Sequence, residues 1–239
     1  MHRSRQMSLL QALKGSLIVS CQPVRQGPLD HPSIVRAFAL AAERGGARGL
    51  RIEGRADLEA VREATQLPLI GLIKRPLREF PIYITPFLED LEAVLDRGAD
   101  LVAVDATLRP RPVPLEVLIE RAHARGRLLV ADVAKVDEGL RAHDLGADLV
   151  STALSGYTEE SQASSGPDLE LVEALAQKGI KVLAEGRIWS PEEAQEAMHR
   201  GAFAVVVGSA ITRPELITHR FVEALEVEDA ERTGQLERP

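Results

Sequence analysis

The sequence predicts an α/β protein folded as a single (β/α)8 barrel, the TIM-barrel architecture, and three observations carry this. Eight short apolar runs rich in β-branched residues are separated by stretches of helical character. A glycine-alanine punctuation recurs just ahead of several of those runs, as Gly46-Ala47, Gly98-Ala99, Gly146-Ala147 and Gly201-Ala202. Glycine after a helix allows a left-handed cap, and an apolar run behind it suits a strand buried on both faces. The chain's 239 residues match one such barrel, typically about 250 residues.

Taken in order, a short N-terminal helical segment precedes the first strand, Leu17 to Cys21. Its following turn, Cys21-Gln22-Pro23-Val24-Arg25, lacks the spaced glycines of a dinucleotide fingerprint, which disfavours an open doubly wound sheet. The next strands are Gly49 to Ile52, Leu69 to Ile73, Leu101 to Val104, Leu128 to Ala131 and Leu149 to Thr152. Ile180 to Ala184 and Phe203 to Val207 complete the set. Between these two, Ser190-Pro191-Glu192-Glu193 reads as a helix start, with serine at the N-cap, proline at the first helical position and acids in the first turn. The tail from Glu226 to Pro239 is polar and acidic and is expected to fray beyond the last helix, leaving a polar C-terminal tail over about 229–239. The whole chain, 1–239, is read as one domain.

Composition excludes several classes. A formal net charge of -7 opposes broad binding of a phosphate backbone, and 3% aromatic residues leave few stacking platforms, so nucleic acid is not an expected partner. No apolar run approaches the roughly 20 residues that cross a bilayer, and the first fifteen residues lack a signal peptide's apolar region. The expected location is the cytoplasm, with no membrane partner. The lone Cys21 makes no internal disulfide, and no histidine stands at a strand end, so no metal site is expected. Monomer and homodimer both stay open.

In a barrel, chemistry gathers at the C-terminal strand ends. That filter selects Gln22, Arg51 with Glu53, Lys74, Asp105, Asp132, Thr152, Glu185 and Ser209. Two glycine-containing turns with nearby arginines, Gly186-Arg187 and Gly208-Ser209 to Arg213, suit a phosphate monoester, because backbone amides reach an anion where no Cβ intervenes and an arginine fork neutralises it. Lys74 closes an apolar strand and Glu185 closes another, placing an amine and a carboxylate at the barrel mouth. Asp105 and Asp132 lie on adjacent strands, one expected to contact substrate and one to be structural.

A series of short motifs then carries a resemblance. Ser20-Cys21-Gln22, Gly49-Leu50-Arg51-Ile52, Gly71-Leu72-Ile73-Lys74, Tyr83-Ile84-Thr85-Pro86, Val104-Asp105-Ala106-Thr107, Ala131-Asp132, Leu154-Ser155-Gly156-Tyr157, Ala184-Glu185-Gly186-Arg187 and Gly208 to Pro214 run in order along the chain. The set resembles the N-acetylmannosamine-6-phosphate 2-epimerase family. The resemblance implies a cofactor-independent isomerase of amino-sugar and sialic acid catabolism that interconverts N-acetylmannosamine 6-phosphate and N-acetylglucosamine 6-phosphate. It implies proton chemistry at Lys74 and Glu185, and contacts to the sugar phosphate at Gln22, Arg51, Asp132 and Arg213. Phe87 stands where the family often has threonine and is expected to narrow the mouth, and Ser209 replaces a second glycine.

The residue types fit that chemistry independently. Inverting C2 requires removal of a weakly acidic hydrogen beside a C1 carbonyl in the ring-opened sugar. A neutral lysine on one face and a protonated glutamate on the other suffice, and Arg75, Arg187 and Arg213 are the cations expected to depress the lysine. Two other readings stay open: a Schiff-base aldolase acting on a keto-acid phosphate through Lys74, and a non-catalytic sugar-phosphate binding protein.

Overall fold

The computed structural model describes residues 2–161 and 165–232. Eight parallel strands close on themselves in chain order: β1 (Leu17–Ser20), β2 (Gly49–Glu53), β3 (Leu69–Leu72), β4 (Leu101–Asp105), β5 (Leu128–Asp132), β6 (Leu149–Ser151), β7 (Val182–Glu185) and β8 (Ala204–Val207). The barrel closes where Leu17, Ile18 and Val19 of β1 pair with Val205, Val206 and Val207 of β8. Every expected strand is present with its ends moved by at most two residues.

The helices follow the strands as α2 (Pro32–Arg44), α3 (Arg55–Arg62), α4 (Leu88–Asp96), α5 (Leu115–Ala124), α6 (Val136–Asp144), α7 (Leu169–Ala176) and α8 (Pro191–His199). After β8 come one turn, α9 (Ser209–Thr212), and the long α10 (Pro214–Arg232). The punctuation works as its chemistry demands: Gly46, Gly98, Gly146 and Gly201 all have positive φ, between 87° and 103°, which a side chain would strain. At α8, Ser190 Oγ accepts from the Glu193 amide, while the Glu193 carboxylate accepts from the Ser190 amide. Helix α10 runs to Arg232, and 233–239, the rest of the polar tail, lie outside the described residues.

Strand alternation divides the apolar residues into two layers. Leu50, Ile52, Val102, Val104, Leu129, Val150, Val182 and Val205 point out and pack under the helices. Ile18, Ile70, Leu72, Leu101, Ala103, Val130, Leu149, Leu183, Ala204 and Val206 fill the barrel. The N-terminal helix α1 (His2–Leu13) closes the bottom: Leu13 is fully buried with the barrel interior, and Leu9 and Leu10 pack beside it. Arg5 of α1 pairs with Asp100 at the start of β4, which also receives Arg62 and Arg127. The interior is therefore packed from below, and only the C-terminal mouth is left for polar chemistry.

Leu13→Ala tests this plug. Removing a fully buried leucine costs about 2–5 kcal/mol, so thermal unfolding should move down by roughly 5–15 °C while the catalytic mouth keeps its geometry. An unchanged melting temperature would show that α1 does not seal the barrel.

Candidate active site

The period-two alternation that fills the barrel also delivers the last inward residue of each strand to its mouth. On β2, Leu50 and Ile52 face the helices, so Arg51 faces in; on β5, β6 and β7 the same logic brings Asp132, Ser151 and Glu185 inward. Arg51 is almost completely buried. Its Nη1 and Nη2 donate to the two oxygens of Asp132 at 3.0 and 2.6 Å, a bidentate fork across the barrel. Nη1 also lies 3.1 Å from Glu185 Oε2.

Glu185 is held from three sides. Ser151 Oγ donates to Oε2 at 3.0 Å. Thr152 Oγ1 accepts from the Glu185 amide and donates to the Glu185 carbonyl, at 3.0 and 2.8 Å, which fixes the backbone at the end of β7. Both side-chain contacts fall on Oε2, so Oε1 is the atom presented to the cavity. Burial first, with Asp132 adding repulsion, raises the Glu185 carboxyl above its ordinary pKa in spite of Arg51.

Lys74 follows β3. Its amide donates to Glu53 Oε1 at 3.2 Å, and its backbone bridges to Ile84 in an antiparallel pair that folds Tyr83 and Ile84 over the mouth. Thr85 holds this return at φ 46°, in the left-handed region, with its Oγ1 accepting from the Ile73 amide. Burial, then the Arg51 and Arg213 cations, lowers the Lys74 pKa. Of the other cations expected to act on it, Arg75 turns to Glu89 and Asp90, and Arg187 donates to the carbonyls of Ser155 and Gly166.

A cavity of about 170 Å³ opens among these groups, room for a small polar molecule in place of roughly ten waters. Gln22, Arg51, Lys74, Glu185, Gly186, Arg187, Gly208, Ser209 and Arg213 all line it. Gly208 approaches β1 so closely that a Cβ there would stand 3.2 Å from Ser20 Cβ. The next residues begin α9, whose first amides have no acceptor within the helix. Thr212 Oγ1 ties this turn to the Ser20 carbonyl, and Arg213 Nε donates to the Gln22 carbonyl at 2.7 Å, setting its guanidinium at the cavity edge.

Two expected substrate contacts do not reach the cavity. Asp132 is fully buried behind Arg51, and Thr152 is turned to the Glu185 backbone, since Leu149 and Ser151 take the inward positions of β6. Asp105 is structural as well, accepting from Thr107 and pairing with Arg109. Phe87 does not narrow the mouth; its ring lies under Arg75, 5.5 Å from the guanidinium. Residues with no site role assigned from sequence include Ser151, Tyr83 and Trp189, the last two lining the cavity. Alternation counted from Leu149 marks Ser151; Tyr83 stands in the Tyr83-Ile84-Thr85-Pro86 motif without a role, and no local pattern marks Trp189; both arrive on loops.

Comparison with known proteins sharpens this geometry. Residues 35–227 match the family model NanE, described as "Putative N-acetylmannosamine-6-phosphate epimerase". A protein of Escherichia fergusonii named "Putative N-acetylmannosamine-6-phosphate 2-epimerase" is 49% identical over 214 residues, covering 90% of this chain and 93% of that one. The "Bifunctional enzyme NanE/NanK" of Brucella melitensis biotype 1 is 52% identical over 218 residues, 91% of this chain, which spans only 42% of that longer protein. The solved N-acetylmannosamine-6-phosphate 2-epimerase of Clostridium perfringens superposes with a TM-score of 0.89 at 43% identity, covering 90% of this chain and 96% of that one. No helix among the described residues is long and apolar enough to cross a membrane. With its barrel, its lysine and glutamate facing one cavity and these matches along nearly its whole length, the chain belongs to the NanE family of N-acetylmannosamine-6-phosphate epimerases.

Proposed function

We propose that the protein interconverts N-acetylmannosamine 6-phosphate and N-acetylglucosamine 6-phosphate by moving a proton at C2, in the cytoplasm. The observation that carries this reading is the pairing of a lysine made less basic with a carboxyl made less acidic on one cavity. In the ring-opened sugar, neutral Lys74 removes the C2 proton and the electron pair moves onto the C1 carbonyl oxygen. Glu185 Oε1 then delivers a proton to the opposite face of C2 as the pair returns, and the two groups exchange roles in reverse. Gln22 Nε2 gives one hydrogen to Ser20 Oγ and has a second for the C1 oxygen. The phosphate sits on the Gly208 turn with Arg213.

An aldolase using Lys74 as a nucleophile would use the same depressed lysine and a nearby acid, so the family match is what favours the epimerase over it. A binding protein would need neither shift and gives way as well.

A second copy of this chain is the partner that two exposed apolar faces fit. Helix α10 exposes Phe221, Val222 and Leu225, at 70%, 43% and 66%. An apolar groove of about 480 Å³ on the outer face of β1 and β8, lined by Leu17, Ala194, Met198, Val205, Val207 and Ile211, stands open nearby. We infer a homodimer that covers these faces. Sedimentation should give twice the chain mass, and Phe221→Asp should shift the protein toward monomer.

Incubation with N-acetylmannosamine 6-phosphate, followed by NMR, should show the second epimer forming with the wild type, and none with Lys74→Ala or Glu185→Gln, both folded. Turnover by folded Lys74→Ala at the wild-type rate would remove the lysine from the mechanism. Arg213→Ala loses a charge-assisted contact of about 1.5–3 kcal/mol and should raise KM by roughly 10- to 100-fold.

The pH profile of kcat/KM should be bell-shaped, since the active form holds Lys74 neutral and Glu185 protonated. Activity rises as the pair loses the first of its two protons and falls as it loses the second, and the lowered Lys74 and raised Glu185 draw the two limbs together. Arg213 is one of the cations that lowers Lys74, so Arg213→Ala should move the profile to higher pH. A profile that stayed in place would uncouple Arg213 from the lysine.

A further inference from the structure

The connection from β6 to α7, residues 152–168, builds one wall of the cavity through Ala153, Leu154 and Tyr157. It is long for a strand-to-helix connection and carries no helix or strand among its described residues, so its shape depends on side-chain ties. At its far end Ser155 Oγ donates to Asp168 at 2.5 Å, and the other Asp168 oxygen accepts from the Leu171 amide to cap α7.

A second tie that reaches both arms is Arg187. Its Nη1 donates to the Ser155 carbonyl at 2.5 Å and its Nε to the Gly166 carbonyl at 2.8 Å, while the guanidinium carbon stands 5.3 Å from the Tyr157 ring. A planar guanidinium serves the two carbonyls from two different nitrogens while it faces the ring; an ammonium offers all its donors from one nitrogen and lacks that fork. Arg187 is also left-handed, at φ 56°, directly after Gly186 at φ 106°. A non-glycine residue pays about 1–2 kcal/mol for that conformation, and the two carbonyl contacts offset it.

We propose that Arg187 is a positioning residue that clamps the β6–α7 loop to the end of β7, two residues beyond Glu185, and that it is not a ligand of the substrate phosphate. It sets Leu154 and Tyr157 as the wall against which the sugar lies, leaving the anion to Arg213 and the Gly208 turn. This rests on the sugar-phosphate reading above.

Two variants separate the roles. Arg187→Lys keeps the positive charge but loses the planar fork, and Arg187→Ala removes charge and bridge together. A glutamate-specific protease acting on the native proteins reports the loop at the exposed Glu159 and Glu160. Both variants should be cut there at least about tenfold faster than wild type, with the unfolding midpoint nearly unchanged. Calorimetric titration with inorganic phosphate should give Kd within about threefold of wild type for Arg187→Lys, and about 10- to 100-fold weaker for Arg213→Ala. Wild-type cleavage rates for both Arg187 variants, together with phosphate binding weakened about tenfold or more in Arg187→Ala, would overturn the proposal. If the wild type failed to epimerise the sugar phosphate, the functional reading would fall while the cleavage rates still decided the clamp.

Discussion

A single buried guanidinium organises the mouth of this barrel. Arg51 forks onto Asp132 and also touches Glu185, so one positive charge stands between two carboxylates where water cannot screen them. With both carboxylates ionised and Lys74 neutral, the group would carry an uncompensated negative charge. A proton on Glu185 restores neutrality. Moving that proton's counterpart to Lys74, with Glu185 ionised, gives the same net charge. The two protonation states a two-base epimerisation must pass between are therefore equal in charge, and exchanging them never requires building a lone charge in a buried site.

The rest of the site maintains that balance. Burial raises Glu185 and lowers Lys74, so the proton is available to either. Ser151 and Arg51 occupy Oε2, which leaves Oε1 as the atom the proposed transfer would use. The end proposed for the phosphate is set apart by Arg213, held to the Gln22 carbonyl, and by Thr212, which ties the β8 turn to β1. Below the mouth the interior is apolar and sealed by Leu13, which confines polar groups to the C-terminal ends of the strands.

Much of this was legible in the residues. The eight apolar runs and their glycine-alanine punctuation marked the barrel, and Lys74, Glu185, Gln22, Arg51 and Arg213 stand at the cavity because each ends or follows a strand. What failed, failed for physical reasons. Thr152 and Ser151 are neighbours, and only the period-two count from Leu149 tells which one faces inward. Asp132 does face inward, but its partner Arg51 is 81 residues away, so local pattern cannot show that its carboxylate is already occupied. Arg187 lines the cavity as its place after a strand-end glycine suggests, but its donation to the Ser155 and Gly166 carbonyls, from a left-handed backbone, is invisible in sequence. Tyr83 and Trp189 come from excursions whose paths depend on tertiary contacts.

The central claim is that two different groups face C2 and share one proton's worth of charge. Its most direct test is epimerisation in D2O, started from pure N-acetylmannosamine 6-phosphate and stopped at low conversion. The account predicts deuterium at C2 of the product and hydrogen at C2 of the recovered substrate, since one group removes the proton and another, already exchanged with solvent, supplies its replacement. Product that kept its original hydrogen would contradict it, because a single base would then carry the same proton between faces.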